Sequence, residues 1–150
     1  MRHPALLWSS VFGIGFLPKA PGTWGALVVV GVWWFLLAGY VWYVQLAVVV
    51  LYALLSWWAA AIVSRTFGVK DASAIVTDEV AGMWLALIFA PSVWWLVVIA
   101  FGLFRMLDIL KPWPVGWLDR EVSGGLGVML DDLAAGAITA LVVLVISVTV

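Results

Sequence analysis

The sequence predicts an all-α fold, a polytopic integral membrane helical bundle of about five short membrane helices plus an N-terminal interfacial or re-entrant helix. One domain accounts for residues 1–150. Three observations carry this expectation. The chain is 67% hydrophobic and 10% charged, against roughly 45–50% and about 25% in soluble domains. So small a core cannot hide that much apolar surface, so lipid must cover it. Every charged residue falls into one of three clusters, Arg2 with Lys19, Arg65 to Glu79, and Arg105 to Asp132. Between and after them run the charge-free stretches Ala20–Ser64, Val80–Phe104 and Leu133–Val150.

In chain order, Ala5–Leu17 is too short to span comfortably, and its polar and glycine breaks suit an interfacial or re-entrant helix. A signal peptide is the competing reading. Pro18-Lys19-Ala20-Pro21 makes a poor cleavage site, however, and the apolar run resumes at once. Pro18 to Thr23 reads as a rigid turn with Thr23 as a helix N-cap and Lys19 free to meet a phosphate or a headgroup. Ala20–Ser64 holds two spans joined at Gly39-Tyr40, flanked by Trp33, Trp34 and Trp42 as interface anchors. Arg65–Thr77 follows as a loop.

Val80–Phe104 is one long tilted span or a hairpin of two short ones. Pro91-Ser92 ends and restarts a helix in mid-run, and Trp94-Trp95 follows directly, so the hairpin is favoured. Its arms then extend back to about Asp78 and on to about Leu110 to approach membrane length. Lys111–Gly127 is a second loop with a short helix, and Leu133–Val150 is a last span. With the hairpin, all seven Lys and Arg residues share one face, which the positive-inside rule makes cytoplasmic. A single span would split the charge clusters between two faces.

Chemistry is sought among those gathered charges. The chain has no cysteine, which excludes disulfides, zinc–thiolate centres and thiol nucleophiles. His3 is the one histidine and sits in the N-terminal tail. A net charge of −1 points to no nucleic-acid partner. What stands out is acidic. Asp78-Glu79 opens the third span, Asp108 closes the fourth and Asp131-Asp132 opens the fifth, so converging helix ends would bring these carboxylates together.

An acidic cluster without His or Cys suits a hard cation such as Mg²⁺, which takes oxygen ligands from one or two carboxylates, water and phosphate. The plain alternative makes Asp78 and Asp131 helix N-caps. That alternative fails for Asp108, late in its helix, where the dipole disfavours an acid. Arg105, Asp108 and Lys111 recur every third residue and can share a face, either as an ion-pair ladder or as a phosphate clamp around a metal ligand. Ser123-Gly124-Gly125-Leu126-Gly127 is a flexible loop entering a helix, a setting in which backbone N–H groups can approach phosphate. It is not a P-loop, because no Lys-Ser/Thr follows.

Four segments together resemble the phosphatidylglycerophosphatase A family. They are Leu17-Pro18-Lys19-Ala20-Pro21-Gly22-Thr23-Trp24-Gly25, Ile75-Val76-Thr77-Asp78-Glu79-Val80-Ala81-Gly82-Met83-Trp84, Phe104-Arg105-Met106-Leu107-Asp108-Ile109-Leu110-Lys111-Pro112-Trp113-Pro114, and Asp119-Arg120 with the run from Gly124 to Gly136. They stand in order over nearly the whole chain. The resemblance implies an all-helical, Mg²⁺-dependent lipid phosphatase of the bacterial inner membrane, converting phosphatidylglycerophosphate to phosphatidylglycerol within the bilayer. The segment Lys70-Asp71-Ala72-Ser73 lacks histidines found in some relatives, so no catalytic His is assigned.

Under that reading Asp78, Glu79, Asp108, Asp131 and Asp132 are the catalytic and Mg²⁺-holding acids. Lys19, Thr23, Arg105, Lys111, Gly124 and Gly125 are the substrate-binding set. Asp131 and Asp132 point about 100° apart on a helix, so one of the two is expected on the metal. With no Cys and no Asp-x-Asp-x-Thr/Val signature, metal-assisted attack by water is the natural route, and an aspartyl nucleophile is the open alternative. Competing classes are a cation-binding membrane transporter and a phosphatase for a different phosphorylated lipid.

Overall fold

A computed structural model describes residues 4–14, 19, 21–67, 76–122 and 125–150. Seven helices, and no strands, occur among the described residues: α1 Pro4–Ser9, α2 Pro21–Leu36, α3 Trp42–Phe67, α4 Thr77–Leu87, α5 Trp94–Leu110, α6 Val115–Glu121 and α7 Gly125–Thr149.

Pro21 opens α2, where its missing N–H and fixed φ cost nothing. Thr23 is therefore the third helical residue and not the expected N-cap. The turn from α2 to α3 falls at Gly39-Tyr40, as the sequence predicts. Buried Gln45 clamps it, accepting from Trp33 Nε1 at 2.7 Å and donating to the Tyr40 carbonyl at 2.8 Å. Both ends of the amide are satisfied, which burial demands. α3 runs past the expected loop boundary and takes Arg65 into its last turn, where the helix dipole favours a cation.

α4 stops ahead of Pro91 and α5 starts at Trp94. Glu79 in the first turn of α4 lies 3.5 Å from Arg105 near the end of α5, so the chain reverses between them. That geometry rules out the single tilted span. α5 ends where Lys111 turns left-handed (φ 45°, ψ 54°) and its N–H bonds the Leu107 carbonyl.

Segments Trp42–Val63 and Met129–Thr149 are long and apolar enough to cross a membrane, and only 33% of each is covered by the rest of the molecule. A core helix of a soluble protein would be mostly covered, so these apolar surfaces belong to a membrane protein. The expectation of about five spanning helices is met in full length by these two alone among the described residues. α4, with 11 residues, reaches about 16 Å, roughly half of a hydrocarbon core.

α4 is the central helix. Met83 and Leu87 are fully buried there with Trp33 of α2 and Phe104 of α5. Against α7 the packing is backbone to backbone. A Cβ on Gly136 would collide with the Gly82 carbonyl, and one on Gly82 would stand 2.6 Å from the Asp132 carbonyl oxygen. Small residues permit such close helix approach without any hydrophobic drive from lipid. This contact sets the height of Asp78 relative to Asp132.

Candidate active site

Three helices bring charge to one place. Glu79 and Asp78 come from the first turn of α4, Arg105 and Asp108 from the last turns of α5, and Asp131 and Asp132 from the second turn of α7. The start of α2 also arrives, since a Cβ on Gly22 would overlap the Glu79 carboxylate. A larger residue there would displace the Glu79 carboxylate from its present position.

The N-cap alternative does not hold for either acid. Val76 occupies the N-cap of α4 without a side-chain bond, and Asp78 Oδ1 instead accepts the Glu79 N–H at 3.0 Å. α7 begins at Gly125, six residues before Asp131, whose Oδ1 accepts the Asp132 N–H at 2.9 Å. Asp78, Asp131 and Asp132 are only 7, 4 and 3% exposed. Buried carboxylates at those levels need compensating charge.

The compensation is uneven. Arg105 Nη1 pairs with Asp108 Oδ2 and lies 3.5 Å from Glu79 Oε1. Lys111 Nζ binds Asp119 Oδ1 at 2.6 Å and Asp131 Oδ2 at 2.7 Å. Asp132 takes no cation among the described residues and faces the carboxylates of Asp78 and Asp108. The two adjacent acids of α7 thus have different surroundings, as their angular separation requires. Burial works against the Lys111 ammonium, but its hydrogen bonds to Asp119 and Asp131 outweigh burial and raise its pKa above the ordinary lysine value. The ladder joins Arg105 to Asp108 and stops there. Lys111 has left the helix, and its side chain crosses to α6 and α7.

Two buried polar atoms, Glu79 Oε2 and Arg105 Nε, have no hydrogen-bond partner among the described residues. An unused acceptor and an unused donor at the centre of a charge cluster invite a polar ligand. Among the described residues no three acids are gathered closely enough to hold a metal ion by themselves. Mg²⁺ does not require such a cage, because water and substrate phosphate commonly complete its shell. An all-oxygen donor set with more acids than cations fits a hard divalent ion.

Thr23 is half-buried beside Gly22. Lys19 is exposed, left-handed (φ 64°) and without an ion pair among the described residues. Gly125 is the first residue of α7, and Gly124 lies outside the described residues, as does the segment from Lys70 to Ser73. Sequence reasoning missed Asp119 as the second partner of Lys111. Its signal was an eight-residue separation across a turn, which helical periodicity cannot see.

The family model PgpA, described as Phosphatidylglycerophosphatase A, matches residues 7–147. Phosphatidylglycerophosphatase A of Escherichia coli (strain K12) is 38% identical over 148 residues, covering 93% of this chain and 81% of its own length. Its namesake from Haemophilus influenzae is 36% identical over 147 residues, covering 97% and 90%. A Bacteroides thetaiotaomicron protein named putative phosphatidylinositol-3-phosphatase is 38% identical over 146 residues, covering 91% of each chain. No solved structure matches. A match over nearly every residue, carrying all four acidic and glycine-rich segments, decides the assignment: this chain belongs to the phosphatidylglycerophosphatase A family.

Proposed function

We propose that this chain hydrolyses the terminal phosphate monoester of phosphatidylglycerophosphate to give phosphatidylglycerol, with Mg²⁺, at the cytoplasmic face of a bacterial inner membrane. Five membrane segments, three of them shorter than a full span, form its body. The observation that carries this reading is the convergence of Glu79, Arg105 and Asp108 with Asp132 and the Lys111–Asp131 pair. It supports a phosphomonoester site because it offers hard-cation ligands and phosphate-binding cations side by side.

Asp132 with either Asp78 or Asp108 would hold Mg²⁺, water and substrate phosphate completing its shell, and the ion would supply a polarised phosphoryl oxygen and a more acidic water. Arg105 is held in place by Glu79 and Asp108 and keeps Nε free to donate to a phosphate oxygen. Glu79 Oε2 has no hydrogen-bond partner among the described residues and would orient the attacking water or take its proton. Lys111 adds fixed positive charge beside Asp131 and offsets charge that develops on the phosphoryl group. The Lys19–Thr23 turn and Gly124-Gly125 contribute headgroup contacts at the rim.

The test is phosphate release from phosphatidylglycerophosphate in detergent, with Mg²⁺ or a chelator, for wild type and Asp108→Asn. Expected is Mg²⁺-dependent release that falls about 100-fold or more in the variant. Wild-type release that survives chelation overturns the metal assignment, and full activity in Asp108→Asn overturns the role of that residue. The Bacteroides relative's name favours including a phosphorylated inositol lipid as a second substrate. Release from that lipid alone would move the activity to another headgroup. Cation flux in liposomes without hydrolysis would favour the transporter class.

A further inference from the structure

A run of hydroxyl groups outside the acidic cluster reaches its edge. Trp8 Nε1 donates to Ser56 Oγ at 3.2 Å. Ser56 Oγ lies 2.7 Å from Thr77 Oγ1, and Tyr52 Oη lies 2.8 Å from the same oxygen. Ser56 and Thr77 are completely buried, and Thr77 immediately precedes Asp78.

One proton direction follows from its donor. An indole N–H only donates, so Ser56 accepts from Trp8, while in the Ser56–Thr77 contact either hydroxyl can donate. In the Tyr52–Thr77 contact, too, either hydroxyl can donate.

α4 needs such an anchor. Its N-cap, Val76, makes no side-chain bond to the first turn, so the start of the helix is tied to its neighbours through the Thr77 side chain. Tyr52 and Ser56 are four residues apart on α3, so both project from one face and grip Thr77 from two points. The rings of Trp8 and Tyr52 pack with centroids 5.4 Å apart, which joins α1 to the same cluster.

We propose that Tyr52, Ser56 and Thr77 are positioning residues, a two-point hydroxyl clamp that fixes the start of α4 against α3 and aims Asp78 and Glu79, with Trp8 carrying the seating of α1 into it. The clamp acts through the acids and touches no substrate. The proposal rests on the phosphatase reading of Asp78 and Glu79.

The full chain in detergent is assayed for kcat and KM on phosphatidylglycerophosphate, alongside its melting temperature. Thr77→Val keeps the shape and removes the hydroxyl. It lowers kcat about tenfold with KM within about twofold, the scale of a hydrogen bond lost from an aligned site. Thr77→Ser restores kcat to within about threefold of wild type. Tyr52→Phe removes one hold at a half-buried position and lowers kcat in the same direction, which supplies the result if Thr77→Val does not fold. Unchanged kcat in whichever of Thr77→Val and Tyr52→Phe fold, with lowered melting, reduces the clamp to stability and overturns the proposal. Failure of Thr77→Ser to rescue overturns it as well, by assigning the effect to side-chain shape. Absence of hydrolysis by the wild type has a different meaning, since it removes the phosphatase reading and the clamp's catalytic role with it.

Discussion

At Lys111 the backbone turns left-handed, and the ammonium crosses to Asp119 and Asp131. The two partners are unequal. Asp119 has a side chain 42% exposed, whereas that of Asp131 is 6% exposed. Asp119→Asn is therefore expected to shift stability by less than about 1 kcal/mol, as for exposed ion pairs. Lys111→Met strands the Asp131 carboxylate in a buried setting and is expected to cost about 2 kcal/mol, read as a larger loss of melting temperature. Equal effects of the two substitutions would show that Asp131 is rescued by another group. Counting every third residue correctly joined Arg105 to Asp108, but it carried Lys111 onto the same face. Such counting holds only while the helix lasts, and Lys111-Pro112 ends it.

Among elements, the half-length α4 governs the site, and its contact with α7 governs α4. Gly136→Ala would force the Gly82 carbonyl to move, so a loss of about 1–3 kcal/mol is expected, with reduced activity. Gly31 and Gly102 have open space around an added Cβ, and alanine at either is expected to leave stability unchanged or raise it by about 0.5–1 kcal/mol. Thermal melts of the four alanine variants, at Gly82, Gly136, Gly31 and Gly102, check the division. A Gly136→Ala protein as stable as wild type would mean that α4 and α7 stand further apart. The sequence marks all four positions as glycine in apolar runs and cannot rank them. What separates them is which neighbouring backbone comes near, and that depends on how two helices cross.

For the whole molecule, the level of Thr77 on α3 is Ser56, eleven residues before the helix ends at Phe67. α3 thus extends about 16 Å beyond the acids, and α1 packs on that extension through Trp8, Ala59 and Val63. The acids therefore lie below the end of α3 and not level with it. Sidedness is directly testable, because the chain contains no native cysteine. Single cysteines at exposed Thr66 and Trp113 are expected to resist an impermeant thiol reagent in intact cells, and those at exposed Gly39 and Ser92 to react. Labelling of Gly39 and Thr66 from the same side would overturn the topology. By itself the sequence determined the membrane class, the turns at Gly39-Tyr40 and Pro91-Ser92, the segregation of charge and the residue types of the site. All of these are set by local hydropathy, Pro geometry and Trp placement. Only the tertiary structure decided that α4 has just 11 residues, that Asp131 belongs to Lys111 while Asp132 faces Asp78 and Asp108, and that Glu79 meets Arg105 and the start of α2. Those pairings join residues far apart in the chain, and they follow from how closely glycine lets the helix backbones approach.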